Sequence, residues 1–355
     1  RMPQVVPYKN KIEENFGSQI RKLIEANVQL DEYYGDQTGA ELLQNYQNAI
    51  IKKLELSFAD MVKEISENGE ISIEKVANKV LDDLANNAYK STSDFINKAL
   101  EIIETASGEL DTRIPMSFPA IKHKVESSLN SMVRKAVTKQ SMPGFNGVVS
   151  TALGYNKKAI KVDKTLKFIR KGKNGEILPA EIIVSPQYFA NSLREQRKNA
   201  DDKTKKQINR ILDEMNSGKF DLSSIPDNLL EGVVYRIPTQ GKNSMLPIKI
   251  TGFTPEALST NVILPAEIVT QSGMDYDIDK VYVELRHFSY TSESGFNSVE
   301  SNTKTKKGVD NTIIDTHYKI LTSEHHAKEL LTPNHTDTLD NLKENISEIY
   351  SGNTF

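Results

Sequence analysis

Apolar residues near the start of the chain recur at three- and four-residue steps, which is the period of one helix face. The first stretch with this spacing contains Ile12, Phe16, Ile20, Leu23, Ile24 and Val28. The same spacing predicts helices at 39–67, 72–89 and 93–106. We therefore predict a helical region over residues 1–112, with a helical bundle as its simplest interpretation and a template- or partner-binding face as the alternative.

The pattern changes after Arg113, where the segment Ile-Pro-Met-Ser-Phe-Pro is incompatible with a helix interior because proline lacks an amide hydrogen. One more helix is predicted from about Ala120 to Thr138, and residues 142–147 are predicted to form a loop. Short runs rich in β-branched residues and separated by Gly or Pro then predict strands. These runs lie at 177–184, 232–237, 246–253, 262–269 and 280–285.

A helical insertion at about 186–217 interrupts the predicted strands. Many short strands with one helical excursion favour a barrel over a doubly wound sheet. The polar segment 289–308 predicts a flexible loop, and residues 311–350 predict helices broken at Thr332-Pro333-Asn334. The whole pattern predicts an α+β protein with a helical region, a barrel domain, and a final region of loop and C-terminal helices. These regions are 1–112, 113–288 and 289–355.

Composition narrows the class of protein without deciding its function. The 355 residues include 45 basic and 48 acidic side chains and no cysteine. Disulfides, iron–sulfur clusters, cysteine-ligated zinc and a cysteine nucleophile are therefore excluded. No apolar run approaches the roughly 18 residues of a membrane-spanning helix, so none is predicted. A net charge of −3 argues against coating nucleic acid through bulk electrostatics.

One segment carries candidate metal chemistry, because Asp275, Asp277 and Asp279 stand at alternate positions after Gly273. In an extended segment such residues share one face. Adjacent carboxylates about 7 Å apart would repel by about 0.6 kcal/mol per pair even in water. A divalent cation bound between the carboxylates makes the net electrostatic interaction favourable. Clustered aspartates without sulfur or imidazole ligands suit Mg²⁺.

The aspartate segment has two other interpretations. A solvated acidic strand edge would place the charges where they prevent edge-to-edge pairing, and it stays open. A calcium loop is excluded, because Lys280 stands where that loop needs glycine and Arg286 stands where it needs a bidentate glutamate.

A basic run that Asp163 alone opposes is a candidate nucleic-acid-binding segment. Its cations are Lys157, Lys158, Lys161, Lys164, Lys167, Arg170, Lys171 and Lys173. Phosphate contacts and a solvated hairpin explain this run equally well. The histidines suggest no metal site, and His317, His325, His326 and His335 are predicted to lie at the surface.

Three motifs then follow one another along the chain. They are Arg236-Ile237-Pro238-Thr239, Ile263-Leu264-Pro265 and Asp275-Tyr276-Asp277-Ile278-Asp279. In this order and spacing they resemble the aspartate-bearing double-psi β-barrel of multisubunit-type DNA-directed RNA polymerases. Gln240, Gly252-Phe253 and Ile278, which replaces a glycine of the cellular pattern, are similar to the single-chain RNA polymerases of crAss-like bacteriophages. The resemblance spans roughly 113–340 and is specific mainly from Arg236 to Lys280.

The resemblance implies a double-psi β-barrel that transfers nucleotides from NTP to an RNA 3′ end on a DNA template. It implies that the catalytic Mg²⁺ is held by Asp275, Asp277 and Asp279. Arg236 would lie beside the nucleotide ribose, and Pro238 would keep its side chain directed there. A salt bridge at the end of a strand is the alternative interpretation of Arg236, and it stays open. Thr239 and Gln240 would contact the template–product hybrid.

The family also uses a second barrel that carries catalytic lysines, and none is recognised in this sequence. We therefore expect a fragment of a larger polymerase, inactive by itself, whose partners are template DNA, product RNA, NTP and the remainder of the enzyme, with no membrane. The expected location is the host cytoplasm or the virion. Two alternatives stay open: an RNA-templated polymerase of the silencing type with the same barrel, and a non-catalytic nucleic-acid-binding or scaffold module.

Overall fold

A computed structural model describes most of the chain. The described residues are 23–85, 94–138, 142–150, 166–236, 242–254, 261–274 and 278–331. The chain divides into two compact units. The first is built mainly from Gln47–Ser141, and the second from Ser18–Tyr46, Met142–Asn302 and Asp310–Phe355.

Helices dominate the N-terminal part of the chain, as the apolar spacing predicts. They are α1 (Gly39–Glu64), α2 (Ile73–Ala85), α3 (Asp94–Ala99) and α4 (Pro119–Thr138). The start of α1 is fixed by a reciprocal cap, in which the Thr38 amide donates to Glu41 Oε2 (2.9 Å) and the Glu41 amide donates to Thr38 Oγ1 (3.3 Å). In the first unit, Val80, Leu100 and Ile121 belong to one buried apolar cluster.

Short hairpins separate these helices. Their strands are β1 (Tyr33–Tyr34), β2 (Gln37–Thr38), β3 (Ser66–Glu67), β4 (Glu70–Ile71), β5 (Ile102–Glu104) and β6 (Leu110–Thr112). The predicted helix at 93–106 is therefore wrong beyond Ala99, because β5 pairs antiparallel with β6. Gly108, at φ +80°, supplies the turn that this pairing needs.

A curled five-stranded mixed sheet forms the centre of the second unit. Its strands are β7 (Gly144–Ser150), β10 (Ala180–Val184), β11 (Glu231–Arg236), β12 (Met245–Phe253) and β13 (Ile278–Leu285). The order is β10-β12-β11-β13-β7, in which β10 and β12 are parallel and the other neighbours are antiparallel. The prediction of a loop at 142–147 is wrong, since β7 begins at Gly144 and pairs with β13.

Residues 261–263 are hydrogen-bonded to both edge strands of this sheet. Asn261 forms a parallel bridge with Val148 of β7, and Ile263 forms an antiparallel bridge with Ile183 of β10. The Ile263 amide donates to the Ile183 carbonyl (2.9 Å), and the Ile183 amide donates back (3.1 Å). The strand predicted at 262–269 is thus a three-residue bridge followed by helix α8 (Ala266–Gln271).

The predicted helical insertion is confirmed as two helices, α5 (Gln187–Arg197) and α6 (Asp202–Asn216). Asp201 starts the second helix by accepting a hydrogen bond from the Thr204 amide (2.7 Å), and bonds from Thr204 lower the pKa of this carboxyl. A short helix, α7 (Asp227–Leu230), follows and leads directly into β11. The apolar faces of these helices and of the curled sheet form one buried core.

The prediction of a flexible loop at 289–308 is wrong for its first part. Strands β14 (Phe288–Thr291) and β15 (Gly295–Ser298) form a hairpin, with Gly295 at φ +68° in the turn. Phe288 and Phe296 are buried, and their rings lie 5.5 Å apart, so two aromatic residues anchor an otherwise polar segment. A short hairpin also forms from β8 (Arg170–Lys171) and β9 (Ile177–Leu178).

The C-terminal helices are α9 (Lys306–Leu321) and α10 (Glu324–Leu331), and residues from 332 onward lie outside the described part. The predicted α+β class is therefore confirmed. Within the described residues, no helix combines the length and the apolar character that crossing a membrane requires.

We predict that Gly232→Ala destabilises the second unit, because β11 approaches β13 too closely for a side chain. A Cβ atom at Gly232 would lie 2.2 Å from the Glu284 carbonyl oxygen and 2.8 Å from Leu285 Cδ2. Urea unfolding followed by circular dichroism should show a loss of about 1–3 kcal/mol, as is typical of overpacking. At the control position Gly252, a Cβ atom would lie 3.3 Å from the Ile183 side chain. Equal losses for the two alanine variants would contradict the prediction.

Candidate active site

The candidate site begins where two neighbouring strands bring Arg236 and Asp279 together. Arg236 ends β11 and lies opposite Val281 of the antiparallel strand β13. Asp279 precedes Val281 by two positions, so it lies on the same face of the sheet and diagonally across from Arg236. The guanidinium Nη2 donates to Asp279 Oδ1 at 2.9 Å.

The same guanidinium also contacts the segment that precedes the aspartates. Its Nη1 donates to the carbonyl oxygen of Ser272 (3.2 Å) and to that of Gly273. These carbonyls follow the end of α8, and Gly273 adopts φ +67°. Arg236 therefore joins residues 272–273 to Asp279, across a segment whose Asp275 and Asp277 lie outside the described residues.

Asp279 is held in a nearly dry setting. Its side chain is 7% exposed and that of Arg236 is 16% exposed. Taking a carboxylate out of water is costly unless an opposite charge and hydrogen bonds compensate it, and the guanidinium supplies both. Asp279 is therefore fixed in position by a charged partner.

The donor chemistry of the aspartate segment fits Mg²⁺. Its side chains are carboxylates at alternate positions, which are hard oxygen ligands, and Asp279 is the second residue of β13. Among the described residues, no three His, Asp or Glu side chains are grouped so that they could hold a metal ion. A magnesium site at this position would thus be assembled around Asp279 with the aspartates that precede it.

The other predicted substrate-binding residues, Pro238, Thr239 and Gln240, lie outside the described residues. The aliphatic motif that precedes the aspartates is described. Its Ile263 is the residue that bridges to β10, and Pro265 directly precedes α8. The motif therefore connects a sheet edge to the helix whose end contacts Arg236.

The basic run is only partly described, since Lys157, Lys158, Lys161 and Lys164 lie outside that part. The remaining members are Lys167, Arg170, Lys171 and Lys173. Arg170 donates to Glu181 Oε1 (2.8 Å), and Lys171 lies 3.5 Å from Glu324 Oε1. Arg170 and Lys171 form strand β8 of a hairpin, and Lys167 and Lys173 are exposed beside it.

A buried polar network behind the site was not predicted from the sequence. The Tyr235 hydroxyl donates to Glu284 Oε1 (3.0 Å), and His317 Nδ1 lies 3.2 Å from Glu284 Oε2. His317 Nε2 lies 3.1 Å from the Tyr46 hydroxyl. The network therefore links β11, which also carries Arg236, to β13, α9 and α1. The side chains of all four residues are buried.

The prediction that His317 and His326 lie at the surface is wrong, because both are buried in the C-terminal helices. His317 lies on α9 between the buried pairs Ile313-Ile314 and Ile320-Leu321. Its three- and four-residue spacing from these apolar residues is the signal in the sequence that could have revealed its burial.

No protein-family model matches this chain, and no curated protein matches it. The motifs and the geometry of Arg236 and Asp279 are therefore the basis for assigning a function.

We predict that Tyr235 makes the protein less stable at alkaline pH. Burial, followed by the negative charge of Glu284, raises the pKa of Tyr235 well above its usual value of 10.0. Above pH 10 the unfolded chain therefore loses this proton while the folded chain keeps it, and the free energy of unfolding falls by up to about 1.4 kcal/mol per pH unit. Tyr235→Phe should remove that contribution and flatten the curve above pH 10.

The measurement is urea unfolding between pH 8 and pH 11.5, followed by circular dichroism because the chain contains no tryptophan. At pH 8 the variant should be less stable by about 1–3 kcal/mol, because Glu284 loses a buried donor. Tyr33→Phe is the matched control, since that side chain is 72% exposed. Parallel curves for the wild type and Tyr235→Phe above pH 10 would contradict the assignment.

Proposed function

We propose that this chain carries the magnesium-binding catalytic barrel of a DNA-directed RNA polymerase, similar to the single-chain enzymes of crAss-like bacteriophages. The reaction is Mg²⁺-dependent transfer of a nucleotide from NTP to an RNA 3′ end. Its partners are template DNA, product RNA and the remainder of the polymerase, and its setting is the host cytoplasm.

This proposal depends on the contact between the Arg236 guanidinium and the Asp279 carboxylate. Two sequence motifs far apart in the chain supply these residues, and the family resemblance requires them in one site. The 2.9 Å contact between them supports that requirement with an observation independent of the motif spacing. A solvated acidic edge does not account for it, since Asp279 is buried.

Bridges at both edges of the curled sheet support the barrel proposed for this function. We propose that residues 261–263 act as a sixth strand that closes this barrel, because they bond to both edge strands, β7 and β10. Gly147 permits this approach, since a Cβ atom there would lie 2.1 Å from Val262 Cγ2. A small barrel of this type fits a double-psi arrangement, with the helical insertion between β10 and β11.

In this function the chain's residues have distinct tasks. Asp275, Asp277 and Asp279 hold the cation, because ionised carboxylates offer several acceptor sites and no donor. Mg²⁺ held by these carboxylates would supply charge stabilisation for transfer of the nucleotide to the RNA 3′ end. Arg236 has donors in a rigid fork that suits a ribose hydroxyl beside this centre.

We predict that Asp277→Ala in the complete polymerase abolishes RNA elongation on a primed DNA–RNA scaffold while scaffold binding persists. The reason is that the carboxylate acts on the cation and not on the nucleic-acid backbone. Elongation is followed by gel electrophoresis and binding by fluorescence anisotropy. Asp213→Ala, on the insertion helix α6, is the matched control and should elongate normally. Unchanged elongation by Asp277→Ala would refute the proposed function and leave a scaffold module as the explanation.

We also predict that the 355-residue chain alone binds the scaffold without extending it, because the proposed function assigns catalytic lysines to a second barrel that the remainder of the polymerase supplies. Adding the remainder of the polymerase should restore nucleotide addition. Robust extension by the chain alone would show that this barrel contains the whole active site. A preference for RNA over DNA templates in the restored enzyme would favour the silencing type of polymerase.

A further inference from the structure

The contacts of Arg236 suggest a role for this side chain that does not require a bound nucleotide. Its guanidinium donates to two carbonyl oxygens, those of Ser272 and Gly273, and to the carboxylate of Asp279. The two carbonyls precede the first aspartate in the chain, and Asp279 is the last of the three aspartates. A single planar guanidinium thus holds residues 272–273 and Asp279 in a fixed position relative to each other.

We propose that Arg236 is a positioning residue, which holds Asp279 in the orientation needed to bind a divalent cation. This inference rests on the proposed function, since it concerns the same cation site. It differs from a role in reading the ribose, because it acts through Asp279 and requires no nucleotide.

The geometry favours positioning over simple charge neutralisation. The guanidinium has its donors in a fixed fork, so Nη2 reaches the carboxylate while Nη1 reaches the carbonyls. A lysine ammonium is a compact charge that would neutralise Asp279 without spanning the segment. Positioning therefore depends on the shape of the side chain as well as on its charge.

The contact also leaves Asp279 able to bind a cation. Arg236 bonds to Oδ1, and a carboxylate has lone pairs on both of its oxygens. Groups that hydrogen-bond to metal-binding side chains orient those side chains, and their loss typically lowers metal affinity by about 10- to 100-fold. We expect an effect of that size from Arg236, because Asp279 is buried and its carboxylate is oriented by this bond.

The experiment is a titration of the 355-residue chain with Mn²⁺, in which free Mn²⁺ is followed by electron paramagnetic resonance. Mn²⁺ is a suitable probe because carboxylates bind it as they bind Mg²⁺. The variants are Arg236→Gln, Arg236→Lys and Asp279→Asn. Arg210→Gln is the matched control, since it makes the same charge change on an exposed side chain of α6 that pairs with Glu214. Circular dichroism of each variant reports folding.

The wild type and Arg210→Gln should bind Mn²⁺ equally, and Asp279→Asn should lose the site. Arg236→Gln and Arg236→Lys should both bind about 10- to 100-fold more weakly while keeping the wild-type circular dichroism spectrum. If Arg236→Gln does not fold, Arg236→Lys decides, because it keeps a positive charge beside the buried carboxylate.

Two results would overturn the inference while leaving the proposed function intact. In one, Asp279→Asn loses the site but Arg236→Lys binds as the wild type does, so charge alone suffices. In the other, Arg236→Gln binds more tightly, so the guanidinium competes with the cation. If the wild type does not bind Mn²⁺, or Asp279→Asn binds it equally well, the proposed function itself fails.

Discussion

The buried ion pair between Arg236 and Asp279 is the interaction on which the candidate site depends. A charge removed from water is tolerated only where a partner compensates it, so the strands carrying these residues must stay in one register. A slip of one residue between β11 and β13 would turn one of the two side chains to the opposite face of the sheet. The requirement to pair these charges and the requirement to pair the strands therefore reinforce each other.

Polar contacts of Tyr235, the residue next to Arg236 in β11, also support this register. Tyr235 and Glu284 join β11 to β13, and His317 connects that pair to α9. Tyr235 also stacks on Tyr282, with the rings 5.5 Å apart and nearly parallel. Each member of the network is buried with a hydrogen-bonding partner, as a polar group inside a core requires. The strands that carry the site are thus joined by buried side-chain contacts as well as by their backbone hydrogen bonds.

The departure of this sequence from the cellular polymerase pattern has a local structural counterpart. Ile278 stands where that pattern has glycine, and β13 begins at this residue. A β-branched residue favours the extended conformation of a strand, whereas glycine favours a sharp turn. Asp279 is consequently presented from a strand, where its register with β7 and β11 determines its direction. This arrangement is compatible with the proposed polymerase barrel, and it keeps the Asp279 carboxylate within hydrogen-bonding distance of Arg236.

The sequence by itself determined the elements that have a long or clear period and the residues that carry chemistry. Local patterns predicted most of the helices at 39–64 and 119–138, strands β11, β12 and β13, and the candidate residue Asp279. Arg236 became a candidate through the resemblance of its motif to a known family. Only the tertiary structure decided strand β7, helix α8, the hairpin of β14 and β15, and the burial of His317, because short segments take their form from distant partners. The contact of Arg236 with Asp279 also required the tertiary structure, since strand order and register depend on burial summed over the whole sheet.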